Sequence, residues 1–462
     1  MKEKRNSFSG TLGFILSAAG SAVGLGNIWR FPYLAAKDGG GVFLSVYIIL
    51  ALSFGFTLLV TEVAIGRKTK QSSLTAYGKI DKRFKIVGLF SAIVPFMILP
   101  YYCIIGGWVL KYAVAFTTGK GAQTAGDKYF GGFITQQYTP IIFNAIFLIG
   151  TAVVVFRGVD KGIEIMSKIL MPILFFLVIG IAIFSVFIKD PESGRTGIQG
   201  LKVFLIPDFE GLTLKGFFMI VMDAMGQLFY SISVAMGIMV TYGSYVKEEH
   251  NLMGAVNQIE IFDTIVAILA GVMIIPAVYV FMGTEGMTAG PGLMFIAIPK
   301  VFKEMVTAGQ IVGALFFIMV LFAALTSSVS VLEAVVASLM DKFKISRRKA
   351  TIIETTMALV IGVVICLGYN LLYFEAKLPN TPQGGSAQIL DIFDYISNNV
   401  LMPIVAIGTC ILIGWVAKPK YVIDEVTRNG EKFGRKGLYI AMVKIVAPIL
   451  LVFLLLGAFG II

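Results

Sequence analysis

Residues 21–27 read SAVGLGN in the middle of an apolar stretch of membrane-spanning length, residues 11–36, with Arg30 and Pro32 close behind. A uniform apolar helix would hold none of these. Gly24 and Gly26 each weaken a helix by roughly 1 kcal/mol relative to alanine, and a break here frees amides and carbonyls that hydrocarbon cannot solvate. If the break lines a cavity, its carbonyls suit a small hard cation, and the N-terminus of the following half-helix suits an anion. A second stretch of this kind, YSISVAMG at residues 230–237, offers Ser231 and Ser233. These hydroxyls either face a site or bond back to carbonyls one turn earlier. In AALTSSVSV, Thr326, Ser327 and Ser328 are either oxygen ligands for an alkali cation or small residues that let helices pack closely. Ionised side chains at a helix centre cost roughly 2.5–3.5 kcal/mol, which draws attention to Arg30, Glu62, Asp263, Glu333 and Asp394. Glu62 and Glu333 fall toward span ends, and Glu62 reads as interfacial. Asp263 stands among apolar residues with no basic partner at i±3 or i±4, so it calls for a cation.

The elements that must position these groups are membrane helices. The chain of 462 residues is 57% hydrophobic and 14% charged, with a mean hydropathy of +0.87, the composition of a polytopic all-α membrane protein. The apolar segments fall near residues 11–36, 40–66, 87–117, 139–156, 163–188, 214–243, 256–283, 308–340, 350–372, 388–417 and 437–461. The interrupted segments are the first and the sixth, the opening members of two successive sets of five, as an inverted repeat requires. Basic residues accumulate in cytoplasmic loops: with the N-terminus inside, roughly 24 lie in cytoplasmic segments against about 10 outside. That places the C-terminus outside. The net charge of +11 is then a matter of topology and anionic lipid, and nucleic acid is not an expected partner. The first twenty residues resemble a secretory signal, but cleaving them would cut into the interrupted helix. Cys103, Cys366 and Cys410 lie in apolar segments, and His250 reads as a solvated loop residue. The hydroxyls of the eighth segment have no His or Lys at hydrogen-bonding spacing, and no glycine loop precedes a Lys-Ser/Thr pair. An enzyme is therefore not expected. A channel would need a continuous polar stripe or a repeated filter motif, and the sequence has neither.

Three stretches, SAVGLGNIWRFPYLAAKDGGG from residue 21, GQLFYSISVAMG from 226 and LTSS from 325, resemble the neurotransmitter:sodium symporter family. The likeness is to its bacterial amino-acid transporters of the LeuT fold, and most to the eleven-span multi-hydrophobic type. It implies one transporter domain over residues 1–462, with spans one to five in 1–190, spans six to ten in 213–417 and an extra C-terminal helix in 436–462. It also implies a multi-pass protein of the bacterial inner membrane whose partners are the lipid bilayer, sodium and an amino acid, with no organic cofactor. Two sodium sites follow by position. The first uses the Ala22 carbonyl, Asn27, Ser231 and Asp263, completed by the substrate carboxylate. The second uses carbonyls of Gly20, Val23 and Ala323 with the hydroxyls of Thr326 and Ser327. The substrate carboxylate would also meet the Leu25 and Gly26 amides and the Tyr102 hydroxyl. Its ammonium would meet carbonyls of Ala22, Tyr230 and Ser231, with the Ser233 hydroxyl assisting. Ile98, Tyr230, Met236 and Val331 would form an apolar pocket, Ser327 would border it, and the flexible Met236 thioether would admit aromatic side chains. An unpaired polar group there costs roughly 1–3 kcal/mol, which points to neutral hydrophobic amino acids.

The resemblance carries further expectations. Gly24 stands where amine-transporting members have an aspartate, so the substrate keeps its own carboxylate. Asp263 brings a fixed charge where chloride-dependent members are neutral, so chloride independence is expected; Asp263 is also a candidate proton carrier on the return step. Arg30 and Asp394, with Gln227, would form an outer gate. Arg5 and Asp341, supported by Ser244 and Tyr245, would form an inner one. Gly162 and Pro172 resemble a pair that lets the cytoplasmic end of the fifth span unwind. The function implied is sodium-coupled import by alternating access; a proton-coupled or exchange carrier, or a non-transporting amino-acid sensor, would use the same scaffold.

Overall fold

The computed structural model describes residues 7–287, 292–379 and 387–461. Among them nine helices are long and apolar enough to cross a membrane, from Gly41–Thr69 to Lys436–Ala458. A tenth crossing is the pair Thr11–Ala22 and Gly26–Lys37, bent by 52° at its break. These fall where the apolar segments lie, because a helix pairs all its backbone groups within itself and so survives in hydrocarbon. The sixth segment is more polar. It forms Leu214–Ser231 and the short helix Ile238–Gly243.

The two breaks are different physical objects. In the first, Val23 leaves the helix at φ −73° and ψ 96°. The chain resumes as a π-helical turn, Gly26–Arg30, that runs on into Phe31–Lys37, with Pro32 at the junction of the two. In the second, Ser233, Ala235 and Gly237 all take positive φ, at 54°, 61° and 72°. Left-handed backbone costs a residue with a Cβ roughly 1–2 kcal/mol, so outside contacts must hold this segment. Glu62 supplies one, accepting the Ala235 amide at 2.6 Å. Glu62 is 1% exposed, so its interfacial reading is wrong: it holds the sixth helix open from the second. Gly66 and Gly243 let these two helices meet backbone to backbone, since a Cβ at Gly66 would strike the Val240 carbonyl and one at Gly243 the Val63 carbonyl.

The long helices Lys85–Thr117 and Val306–Phe343 pack along each other behind both breaks. On the face where the first helix starts, the N-terminal face, charged pairs tie the helix ends together. Glu333 accepts both terminal nitrogens of Arg347, at 2.5 and 2.9 Å. Arg67 meets Glu425 of the helix Lys420–Val426 at 2.6 Å, and their side chains are 0% and 4% exposed. Arg67 also donates to the His250 carbonyl at 2.9 Å. His250 lies in its loop, half-buried. Its Nδ1 is buried without a hydrogen-bond partner among the described residues; burial first, then Lys247, Arg67 and Lys70, lower its pKa against the opposing pull of Glu249.

Removing one partner of a buried ion pair strands the other, at a cost of about 3–5 kcal/mol. Glu425→Gln should accordingly lower the melting temperature of the detergent-solubilised protein. An unshifted transition would mean that this clamp contributes nothing to stability.

Candidate functional site

Asn27, Ser231 and Asp263 come from three helices and meet in the interior, each 0% exposed. The Asn27 amide donates to Ser231 Oγ at 3.0 Å and to Asp263 Oδ1 at 2.9 Å. Ser231 Oγ lies 2.8 Å from both Asp263 oxygens. Tyr47 of the helix Gly41–Leu50 adds a hydroxyl 3.5 Å from Ser231 Oγ, a neighbour that sequence reasoning missed. Its only signal was one polar tip in an apolar span. Ala22 closes the helix Thr11–Ala22, so its carbonyl lacks a partner further along the helix.

A second cluster forms at the same break of the first helix. Ser327 Oγ lies 3.4 Å from the Gly20 carbonyl, 3.2 Å from that of Ser21 and 3.4 Å from that of Val23. Thr326 Oγ1 bonds the Ala323 carbonyl at 3.1 Å and the Phe322 carbonyl at 3.0 Å. One hydroxyl proton thus serves three carbonyls of a broken helix. Both clusters are rich in the oxygen atoms that suit a hard cation.

Between them lies a cavity of about 20 Å³ lined by Ser21, Gly24, Ile98, Tyr102, Tyr230, Ser233, Met236, Ser327 and Val331. Every side chain expected to border the substrate faces it. Ser21 and Gly24 join them; Ser21 was not anticipated. Its hydroxyl donates to Ser233 Oγ at 3.0 Å, and Ser233 Oγ returns a bond to the Ser21 carbonyl at 3.0 Å, joining the two breaks. The Leu25 amide points at the Tyr102 hydroxyl, 3.5 Å away. Gly26 lies under the Tyr230 ring, with no room for a Cβ.

The expected gates are placed less simply. Arg30 and Asp394 do not form an ion pair within 4.0 Å in this structure. Arg30 instead borders a vestibule of about 340 Å³ with Asp223, Tyr230 and Asn398, and Asp394 accepts from Asn398 at 2.6 Å. Gln227 does not bridge them: it donates to the Gly26 carbonyl at 3.2 Å. On the other face Arg5 lies outside the described residues, and Asp341 accepts the Ser72 amide at 2.7 Å. Ser244 bonds the Thr241 carbonyl of its own helix, and the Tyr245 hydroxyl donates to Glu333 at 2.5 Å. Gly162 lies in the π-helical turn Val159–Glu164, followed by Ile165–Phe187 with Pro172 inside. The fifth span is therefore wound at this end.

The sequence model of the sodium:neurotransmitter symporter family matches residues 5–130 and 137–461. The chain belongs to that family. A relative described as an uncharacterized sodium-dependent transporter, YhdH of Bacillus subtilis, is 31% identical over all of this chain and 99% of its own. A sodium- and chloride-dependent taurine transporter of Canis lupus familiaris is 27% identical over 92% of this chain and 73% of its own length. The crystal structure of MhsT in complex with L-phenylalanine superimposes with a TM-score of 0.86 at 34% identity, covering 99% of this chain and all of that one. This symporter-family chain is thus a multi-pass, sodium-dependent membrane transporter of the LeuT fold and not an enzyme.

A Cβ at position 24 would sit 2.9 Å from Ser327 Oγ and 3.1 Å from the Tyr102 hydroxyl. Overpacking of this order costs about 1–3 kcal/mol. Gly24→Ala should reduce sodium-dependent uptake about tenfold and lower the melting temperature without substrate by a few degrees; wild-type uptake would show that the cavity is not where the substrate sits.

Proposed function

We propose that the protein is a symporter that couples two sodium ions to the import of neutral hydrophobic L-amino acids, aromatic ones included, without chloride. The observation that carries this is Asp263. It is a wholly buried carboxylate held by Asn27 and Ser231 beside the break of the first helix. A fixed negative charge there supplies what a sodium site needs, so no chloride is required to balance it. The first sodium takes the Ala22 carbonyl, Asn27, Ser231 and Asp263, and the substrate carboxylate completes it. The second takes carbonyls of Gly20, Val23 and Ala323 with Thr326 and Ser327, joining the first span to the eighth.

The substrate carboxylate is held by the Leu25 and Gly26 amides and by Tyr102. Its ammonium lies at the polar end of the cavity, by the carbonyls of Ala22, Tyr230 and Ser231 and by Ser233. Its side chain enters between Ile98, Tyr230, Met236 and Val331, none of which offers a charge. The cavity has room for about one water molecule, so a side chain enters only as these residues turn aside, and Met236 is the most adaptable of them. The phenylalanine carried by MhsT supports an aromatic substrate. The vestibule at Arg30 faces outward and the N-terminal face is cytoplasmic, in the inner membrane of a bacterium. Arg30 and Asp394 approach when the outer side closes, and the end of the fifth span that holds Gly162 unwinds when the inner side opens. The two breaks, at matching places in residues 1–190 and 213–417, make these halves two five-span repeats.

Binding of radiolabelled phenylalanine or leucine to the purified protein tests the proposal. Binding should occur in sodium gluconate as in sodium chloride, disappear in choline, and weaken about tenfold or more in Asp263→Ala. Equal binding in choline, or a requirement for chloride, would contradict it.

A further inference from the structure

Glu164 has no part in either cluster, yet it is the last residue of the π-helical turn that contains Gly162. Its side chain is 2% exposed. It accepts the Ser9 amide at 2.8 Å, the Ser9 hydroxyl, and the Lys168 ammonium at 2.7 Å. It reaches the first helix because residue 13 is glycine: a Cβ there would overlap the Glu164 carboxyl. The segment it grips is anchored on its other side. Phe8 is 0% exposed, its ring lies 5.6 Å from those of Phe14 and Tyr242, and its amide donates to the Tyr245 carbonyl.

The same helix reaches the second cluster. Two turns beyond Glu164, Met171 packs on Gly20, where a Cβ would lie 3.0 Å from its sulfur and 3.3 Å from Thr326 Cβ. The fifth span therefore braces the first at two levels, at Ser9 and Gly13 near its start and at Gly20 beside the proposed second sodium site. We propose that Glu164 is a positioning residue, a latch that keeps the start of the fifth span wound and this site shut from the N-terminal face until Ser9 is released. Lys168 makes release affordable. Its ammonium lies on Glu164 and 3.4 Å from Ser9 Oγ, so the carboxylate keeps a counter-charge when Ser9 departs. A contact of this kind suits a switching element, which alternates between two discrete arrangements.

The inference rests on the proposed second sodium site, and the following test separates the two. Hydrogen–deuterium exchange is followed on the full-length protein in lipid nanodiscs, in sodium and in choline. Glu164→Gln keeps the shape but removes the charge. Exchange should rise together in residues 7–16 and 158–168, by about tenfold for loss of a charged hydrogen-bond acceptor, with Met402–Ile411 unchanged. Lys168→Met should act oppositely, slowing exchange in both segments and slowing turnover while sodium-dependent substrate binding persists. A merely structural role would not move the two variants in opposite directions. Wild-type exchange in Glu164→Gln, or a rise shared by Met402–Ile411, would overturn the latch. Sodium-independent substrate binding by the wild type would instead defeat the site proposal and leave the exchange comparison intact.

Discussion

A helix broken inside a bilayer must find partners for its freed backbone groups within the protein, because hydrocarbon offers none. The interior here is arranged around that demand. The carbonyls of residues 20, 21 and 23 turn toward Ser327, the Gly26 carbonyl takes the Gln227 amide, and the Leu25 amide looks to Tyr102. In the sixth span the Ala235 amide is taken by Glu62. Each partner comes from another helix, so the breaks join the elements around them. A small cation can satisfy several such carbonyls at once, which is why groups that are costly to leave bare are also suited to binding.

The contacts on the two faces differ. On the N-terminal face Phe8 is enclosed by aromatic rings, Arg67 is paired with Glu425, and Glu333 with Arg347. On the opposite face Arg30 lines an open vestibule and does not reach Asp394. The proposed alternating cycle would exchange these conditions, with charged and aromatic contacts suited to reversible closure because each can be made or broken without unfolding a helix.

Much of this was legible in the residues. The spans follow from unbroken apolar runs, and the breaks from glycines and hydroxyls where a uniform helix would have neither. Asp263 stood out because nothing on its own helix could balance it. The remainder lay in relations between distant helices, which no local pattern carries. Glu62 and Asp263 are both acids in apolar segments; that Glu62 holds a strained backbone turn depends on residue 235. Tyr47 reaches Ser231, and Ser21 reaches Ser233 and the cavity, only through contacts between distant segments. Tyr245 reaches Glu333 on a distant helix, and the separation of Arg30 from Asp394 belongs to a conformation, which a sequence does not encode.

The central proposal is that the substrate carboxylate completes a sodium shell anchored by Asp263. Equilibrium binding of radioactive sodium to the purified protein, with and without a saturating hydrophobic amino acid, tests it most directly. Linkage requires the amino acid to tighten sodium by the same factor by which sodium tightens the amino acid. The proposed site predicts that mutual gain, and its loss when the ligand is an amine without a carboxylate. Sodium affinity indifferent to the amino acid would contradict it.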